Sequence, residues 1–149
     1  MRGFYAVGVY HPKREVNVGS LWRTASLFDA AFVFTVGQRY QPQSSDTPKT
    51  PRHKPLLHFT DMADLRAHLP HAAPLVGVEM DERSELLHEF KHPERAVYLL
   101  GAEDHGLPAD VLAACHHVVQ IETPHPQSMN VSVAGSLVLH DRYRKADLR

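Results

Sequence analysis

Apolar residues in this chain gather into short runs separated by polar punctuation. Five runs are strongly strand-like, Phe4 to Tyr10, Ala31 to Val36, Leu75 to Val78, Ala96 to Leu100 and Val118 to Ile121, and a weaker one lies near Leu56 to Phe59. Several are almost continuously apolar, as strands covered on both faces must be. Between them the period changes. Val18, Leu21, Trp22, Ala25 and Phe28 recur at three and four residues, which puts one apolar stripe on a helix, with Asn17 ahead of them as a good N-cap. Further helices are expected over Asp61 to Leu69, over Asp110 to Cys115 with Pro108 in a first-turn position, and from Asn130 or Val131 to about Arg144. Strand alternating with helix predicts an α/β fold, a mostly parallel sheet flanked by helices. Gly37 to Pro55, with four of the eleven prolines, reads as one long loop.

A chain of 149 residues suffices for a single domain over residues 1–149 with a core that needs no staples. The single cysteine, Cys115, excludes an internal disulfide framework, and its apolar neighbours make it a small core residue. No run approaches the ~18 apolar residues of a membrane span, and the amino terminus opens on a strand-like stretch, so a reducing cytoplasm and no membrane partner are expected.

Net charge is -1, which spread evenly would argue against a nucleic-acid partner. It is not spread evenly. Met1 to Lys54 holds 8 Lys/Arg against 3 Asp/Glu, Pro55 to Asp141 holds 4 against 13, and Arg142 to Arg149 holds 4 against 1. Two basic ends around an acidic middle suggest a polyanion-binding face, with ordinary surface charge as the alternative.

Three segments carry candidate chemistry. Asn17-Val18-Gly19-Ser20-Leu21-Trp22-Arg23 follows a strand and opens a helix, where free N–H groups and the dipole favour an anion; a capped helix with one exposed Arg would read the same. Gly101-Ala102-Glu103-Asp104-His105-Gly106-Leu107 ends a buried strand with two glycines five apart, the place where open α/β sheets let backbone approach a cofactor. Ile121 to Asn130 is a loop stiffened by Pro124 and Pro126, and it leads through Ser128 and Met129 into a helix that starts on small and β-branched residues. Each segment alone is ambiguous.

In this order the segments, Asn-x-Gly-x-x-x-Arg, Gly-x-Glu-x-x-Gly-Leu and Ser-Met-Asn-Val-Ser-x-Ala, resemble the three signature motifs of SpoU/TrmH-type RNA 2′-O-ribose methyltransferases of the SPOUT superfamily, across Asn17 to Ala134. The resemblance implies a carboxyl-terminal trefoil knot, over about 75–145, that binds S-adenosylmethionine. Val78, Gly101, Glu103, Gly106, Leu107, Ile121, Ser128, Met129 and Asn130 are the implied cofactor residues. Arg23 is the implied catalytic residue, supported by Asn17 and Ser128 in placing RNA phosphate or ribose. It also implies a homodimer with a shared active site and an RNA substrate, tRNA ahead of rRNA. The size is similar to that of TrmL-type tRNA enzymes, although Lys13-Arg14-Glu15-Val16 lacks the paired prolines common there. The sulfonium donor carries its own charge, so no metal is required. A permanent guanidinium such as Arg23 suits electrostatic stabilisation better than proton abstraction, and both roles have been considered for this position in the family.

Two rival readings compete with this one. His88-Glu89-Phe90-Lys91-His92 matches the His-Glu-x-x-His zinc pattern, but Pro93 would end the helix that must hold the ligands, and an exposed amphipathic helix with surface histidines is the plainer expectation. His53, His58, His116 and His117 read as surface or edge residues. A non-catalytic RNA-binding protein is the other rival, and intact Arg23, Asn17, Ser128 and Asn130 argue against it. Lys13, Arg14, Arg39, Lys49, Arg52, Lys54, Arg142 and Arg144 are candidate phosphate contacts by charge and position.

Overall fold

The computed structural model describes residues 3–41, 54–102 and 105–147. Along the chain these form β1 (Phe4–Tyr10), α1 (Glu15–Leu27), β2 (Phe32–Val36), β3 (Leu56–Phe59), α2 (Met62–Ala67), a 3-10 turn (Pro70–Ala72), β4 (Leu75–Val78), β5 (Glu85–Leu86), β6 (Arg95–Gly101), α3 (Ala109–Ala114), β7 (His117–Gln120) and α4 (Val131–Asp147). The strands make one sheet in the order β3-β2-β1-β6-β4-β7-β5, every neighbouring pair parallel. All carboxyl ends therefore lie along the same edge. Strand order reverses between β1 and β6, which is where sheets of this kind open a crevice at that edge.

Both faces of the sheet are covered, which explains the unbroken apolar runs. Tyr5, Val7, Val9, Tyr98 and Leu100 point to one side and pack with Leu21 and Trp22 of α1 and Val138 and Leu139 of α4. Ala6, Val97 and Leu99 point to the other, with Phe34, Leu107, Val111 and Cys115. Each large side chain so buried contributes roughly 1.5–3 kcal/mol. Helices α1 and α4 pack closely because Gly135 has no side chain: a Cβ there would lie 2.5 Å from Leu21 Cδ1. Beside it, Ser136 Oγ donates to Thr24 Oγ1 at 3.2 Å.

The expected strands are present, and several helix ends differ. Asn17 is not the N-cap of α1. Arg14 holds that position in extended backbone, and Asn17 is buried in the first turn, where its side-chain oxygen is taken by a tertiary partner, Asn130. Pro108 occupies the cap of α3 instead of its first turn. Helix α2 is shorter at both ends, with Asp61 as its cap accepting from Asp64 N–H at 2.8 Å. The segment 88–92 is not an amphipathic helix. It follows β5, a strand of two residues and too short for any periodicity to reveal, and His92 at its end is buried.

His92 anchors a polar network beneath the carboxyl-terminal half of α4. Its Nδ1 lies 2.7 Å from Tyr98 Oη and its Nε2 lies 2.8 Å from Asp141 Oδ2. Burial pushes the imidazole down to about 4, against the pull of Asp141, so the ring is neutral at pH 7. A neutral ring has one N–H, and the carboxylate requires it on Nε2; Nδ1 then accepts from Tyr98. Burial raises the Asp141 carboxyl, but hydrogen bonds from Lys145 and His92 outweigh that and hold it below its ordinary value. Arg142 completes the cluster, donating to the carbonyls of Pro93 at 2.6 Å and Glu94 at 2.7 Å and to Tyr98 Oη at 3.1 Å. Arg142 is thus a structural cation, 4% exposed, and not the phosphate contact its charge suggested.

Candidate active site

A cavity of about 410 Å³ opens at the carboxyl ends of β4, β6 and β7. Its walls come from chain segments that the strands deliver to one edge: Val78 to Met80 at the end of β4, Leu100 to Ala102 and His105 to Leu107 at and after the end of β6, and residues between Gln120 and Val131 after β7. Of the expected residues, Val78, Gly101, Gly106, Leu107, Ile121, Ser128 and Met129 line it. Glu103 lies outside the described residues. Asn130 stands behind the wall, where its side-chain oxygen accepts from the N–H groups of Ser132 at 2.9 Å and Val133 at 3.2 Å and so caps α4. Its amide nitrogen donates to Asn17 Oδ1 at 3.0 Å, tying the last helix to the first.

The two glycines are there because backbone meets backbone. After β6 the chain doubles back, and Gly106 N–H donates to the Ala102 carbonyl at 2.9 Å. A Cβ on Gly101 would sit 2.3 Å from the Gly106 carbonyl carbon, and one on Gly106, whose φ is +60°, would sit 2.1 Å from Glu79 Oε2. Glu79 ends the Leu75 to Glu79 stretch that the resemblance brings to the cofactor, and the sequence assigns it no role of its own. Its Oε2 accepts from Leu107 N–H and its Oε1 from its neighbour Met80, both at 2.9 Å, so one carboxylate braces the glycine loop against the end of β4. The available signal was position alone: a carboxylate directly after a strand whose neighbour ends in a glycine turn.

The lining combines apolar Leu100, Leu107, Ile121, Met129 and Val131 with polar Thr123, Gln127 and Ser128, and the volume lies within the range of small-ligand sites. Such a cavity can hold a ligand that has both an apolar ring and polar groups. The 121–130 segment is pinned at one end by His88 Nδ1, 2.5 Å from Glu122 Oε2, and within itself by Thr123 Oγ1 donating to the His125 carbonyl at 2.6 Å. Beyond α3 lies Cys115, whose thiol burial pushes up to about 11, so it stays protonated and inert.

Arg23 is not at this cavity. It lies exposed on α1, and the first-motif residue nearest the cavity is Asn17, in a narrow cleft lined also by Ala102 and Val131. The two histidines of the zinc pattern diverge: His88 is exposed beside Glu122, and His92 is turned into the core. Among the described residues no group of three or more His, Cys, Asp or Glu is placed to hold a metal, and no helix is long and apolar enough to cross a membrane.

The sequence profile of the SpoU rRNA Methylase family matches residues 5–140. Among curated proteins, the 23S rRNA (guanosine-2′-O-)-methyltransferase RlmB of Acinetobacter baylyi is 25% identical over 142 residues, which is 87% of this chain and 55% of that protein. The chain thus spans about half the length of that relative, and 9% of a second, longer one. Among solved structures, one described as giving insights into 2′-OH methylation of C/U34 on tRNA is 26% identical, with 99% of each chain covered and a TM-score of 0.80. An AdoMet-bound rRNA methyltransferase from Sinorhizobium meliloti has the same fold at a TM-score of 0.82 and 20% identity, covering 97% of this chain and 57% of the other.

Proposed function

Because this chain belongs to the SpoU rRNA Methylase family, we propose that it transfers a methyl group from S-adenosylmethionine to a ribose 2′-hydroxyl of RNA. The observation that carries the reading is the convergence of the second- and third-motif segments on one cavity beside the cleft that holds Asn17. The cavity fits the cofactor by its volume and by a glycine loop that any Cβ would fill. When bound, S-adenosylmethionine supplies an electrophilic methyl on a sulfonium. Gly101, Gly106 and Leu107 would hold it through backbone, Val78, Ile121 and Met129 through apolar contact, and Ser128 through its hydroxyl; Glu103 completes the loop by motif, and Asn130 acts by holding α4. A trefoil knot formed by the segments after β4, β6 and β7 belongs to the same proposal, as does a single domain spanning the chain.

Arg23 would stabilise the 2′-oxygen as its proton leaves, with Asn17 and Ser128 placing ribose and phosphate. Because Arg23 lies away from its own chain's cavity, the site is complete only with a second copy. Supporting this, Val16 and Leu27 on α1 and Val133, Leu137 and Tyr143 on α4 are exposed apolar side chains on two helices that pack together. A homodimer over this face would bring Arg23 of one copy to the cavity of the other. We place tRNA ahead of rRNA as substrate, since the relative described with tRNA C/U34 is covered over nearly its whole chain, and we place the enzyme in the cytoplasm with that substrate.

Titration calorimetry with S-adenosylmethionine, followed by mapping of 2′-O-methyl marks in RNA from cells with and without the protein, tests the activity. Arg23→Ala should bind the cofactor normally and transfer no methyl. Mixed with Gly106→Val, itself inactive, it should regain activity in heterodimers; no recovery would refute the shared site.

A further inference from the structure

A second cavity lies on the same edge of the sheet and takes no part in the cofactor site. It has a volume of about 240 Å³ and sits beyond the carboxyl ends of β1 and β2, between the turn at Pro12 to Glu15 and the turn at Gln38 to Tyr40. Its lining has two layers. Val18 and Tyr40, 1% and 6% exposed, contribute the apolar part, with the Tyr40 ring held edge-on to Trp22 at 6.2 Å between centroids. Exposed Lys13, Arg14 and Arg39 contribute three cations against one carboxylate, Glu15. Apolar surface under a cationic rim is the combination that seats a nucleobase with its phosphate.

Its position gives this combination a meaning. The narrow cleft that holds Asn17 is lined by Pro12, Lys13 and Arg14, which also line the second cavity, and by Ala102 and Val131, which also line the first. The three openings therefore adjoin one another along the edge, cofactor cavity, cleft, basic cavity. A strand of RNA presenting a 2′-hydroxyl at the cleft must send its next phosphate and base somewhere along that line. Lys13, Arg14 and Arg39 lie on the β1/β2 side, whereas the β4/β7 side carries Glu79, Asp81, Glu82 and Glu122 around Arg83.

We infer that the cavity lined by Lys13, Arg14, Gln38 and Arg39 seats the phosphate and base of the RNA nucleotide adjoining the methylated ribose, and so fixes which ribose reaches the cofactor. This rests on the methyl-transfer reading for the identity of the ligand, not for the existence of the site. The cavity is smaller than the usual small-molecule site, which suits one nucleotide fragment and not a separate metabolite.

The test uses full-length protein and two probes, total tRNA and total ribosomal RNA from cells lacking the protein, with filter binding measured across a salt series. Lys13→Ala with Arg39→Ala should weaken the better-bound RNA at least about tenfold, and the slope of log affinity against log salt should fall by about 1.4 to 1.8, because each of the two lost phosphate contacts removes roughly 0.7 to 0.9. Arg95→Ala, at the opposite end of β6, is the control and should change neither. Gln38→Trp fills the cavity without altering charge and should also weaken binding about tenfold; a full-strength Gln38→Trp complex would show that only the general basic field matters and would overturn the assignment. Unchanged affinity and slope in the double variant would overturn it as well. Lys13→Arg with Arg39→Lys should restore binding. S-adenosylmethionine calorimetry on the same proteins separates the two proposals: RNA binding through this cavity without cofactor binding would sink the methyltransferase reading alone, and cofactor binding with an indifferent cavity would sink this inference alone.

Discussion

The two ends of α4 are held by opposite means. At its start a neutral cap, Asn130, is hydrogen-bonded to Asn17 across to α1, and the segment leading in, 122–128, is exposed. At its far half, Asp141, Arg142 and Lys145 are locked to His92, Tyr98 and the carbonyls of Leu87, Phe90, Pro93 and Glu94. Charge-assisted bonds out of water are strong when complete and costly when broken, whereas hydrogen bonds between neutral amides are about half as strong. The charged network thus lies away from the cavity, and the neutral cap adjoins the cavity wall.

Breaking the far end should have the largest effect. Arg142→Met removes a buried guanidinium that donates to the carbonyls of Pro93 and Glu94 and to Tyr98 Oη, and we expect a loss of about 3–5 kcal/mol in urea unfolding, since hydrogen bonds to a charged group contribute roughly 1.5–3 kcal/mol each. S-adenosylmethionine affinity of the remaining folded protein should be unchanged; a parallel fall in affinity would mean that the two ends of α4 act as one unit.

Acid probes the same end more gently. His92 titrates at about 4 in the folded protein against an ordinary value near 6.5, so its contribution to stability is complete above pH 6.5 and is lost as pH falls toward 4. The loss amounts to about 3 kcal/mol over that window, because the unfolded chain takes up the proton first. The depressed Asp141 carboxyl acts in the same direction at lower pH. In His92→Gln the dependence of unfolding on pH between 6.5 and 4 should flatten, and an unaltered slope would place the titration elsewhere.

At the cavity, Glu79→Gln leaves one acceptor where two backbone N–H groups, of Met80 and Leu107, now share a carboxylate. One of them loses its partner, at about 1–3 kcal/mol. The change should appear in cofactor affinity, about tenfold or more by calorimetry, and less in unfolding. The smallest effect is expected at the start of α4: Asn130→Ala should cost about 1 kcal/mol in stability and a modest part of cofactor affinity through the loop it anchors.

The inner strands were legible in the sequence because burial on both faces writes itself as a nearly unbroken apolar run, with Phe4 to Tyr10 and Leu75 to Val78 matching to the residue, whereas the edge strand β3, with Leu57 exposed, gave only a weaker run and β5 gave none. The glycine turn at Gly101 to Leu107 and the Ser128 to Asn130 segment were legible as motifs, since backbone contact at Gly101 and Gly106 leaves few residue types a choice. Tertiary structure alone decided what depends on partners far away in the chain. Asn17 looks like a cap until Asn130, 113 residues on, takes its oxygen. His92 looks exposed until Tyr98 and Asp141 enclose it, Arg142 looks like a phosphate contact until two carbonyls claim it, and Glu79 looks like strand-end polarity until Leu107 N–H reaches it. Apolar burial is a property of a residue and its near neighbours, which sequence records; the partner of a polar group is chosen by the path of the whole chain.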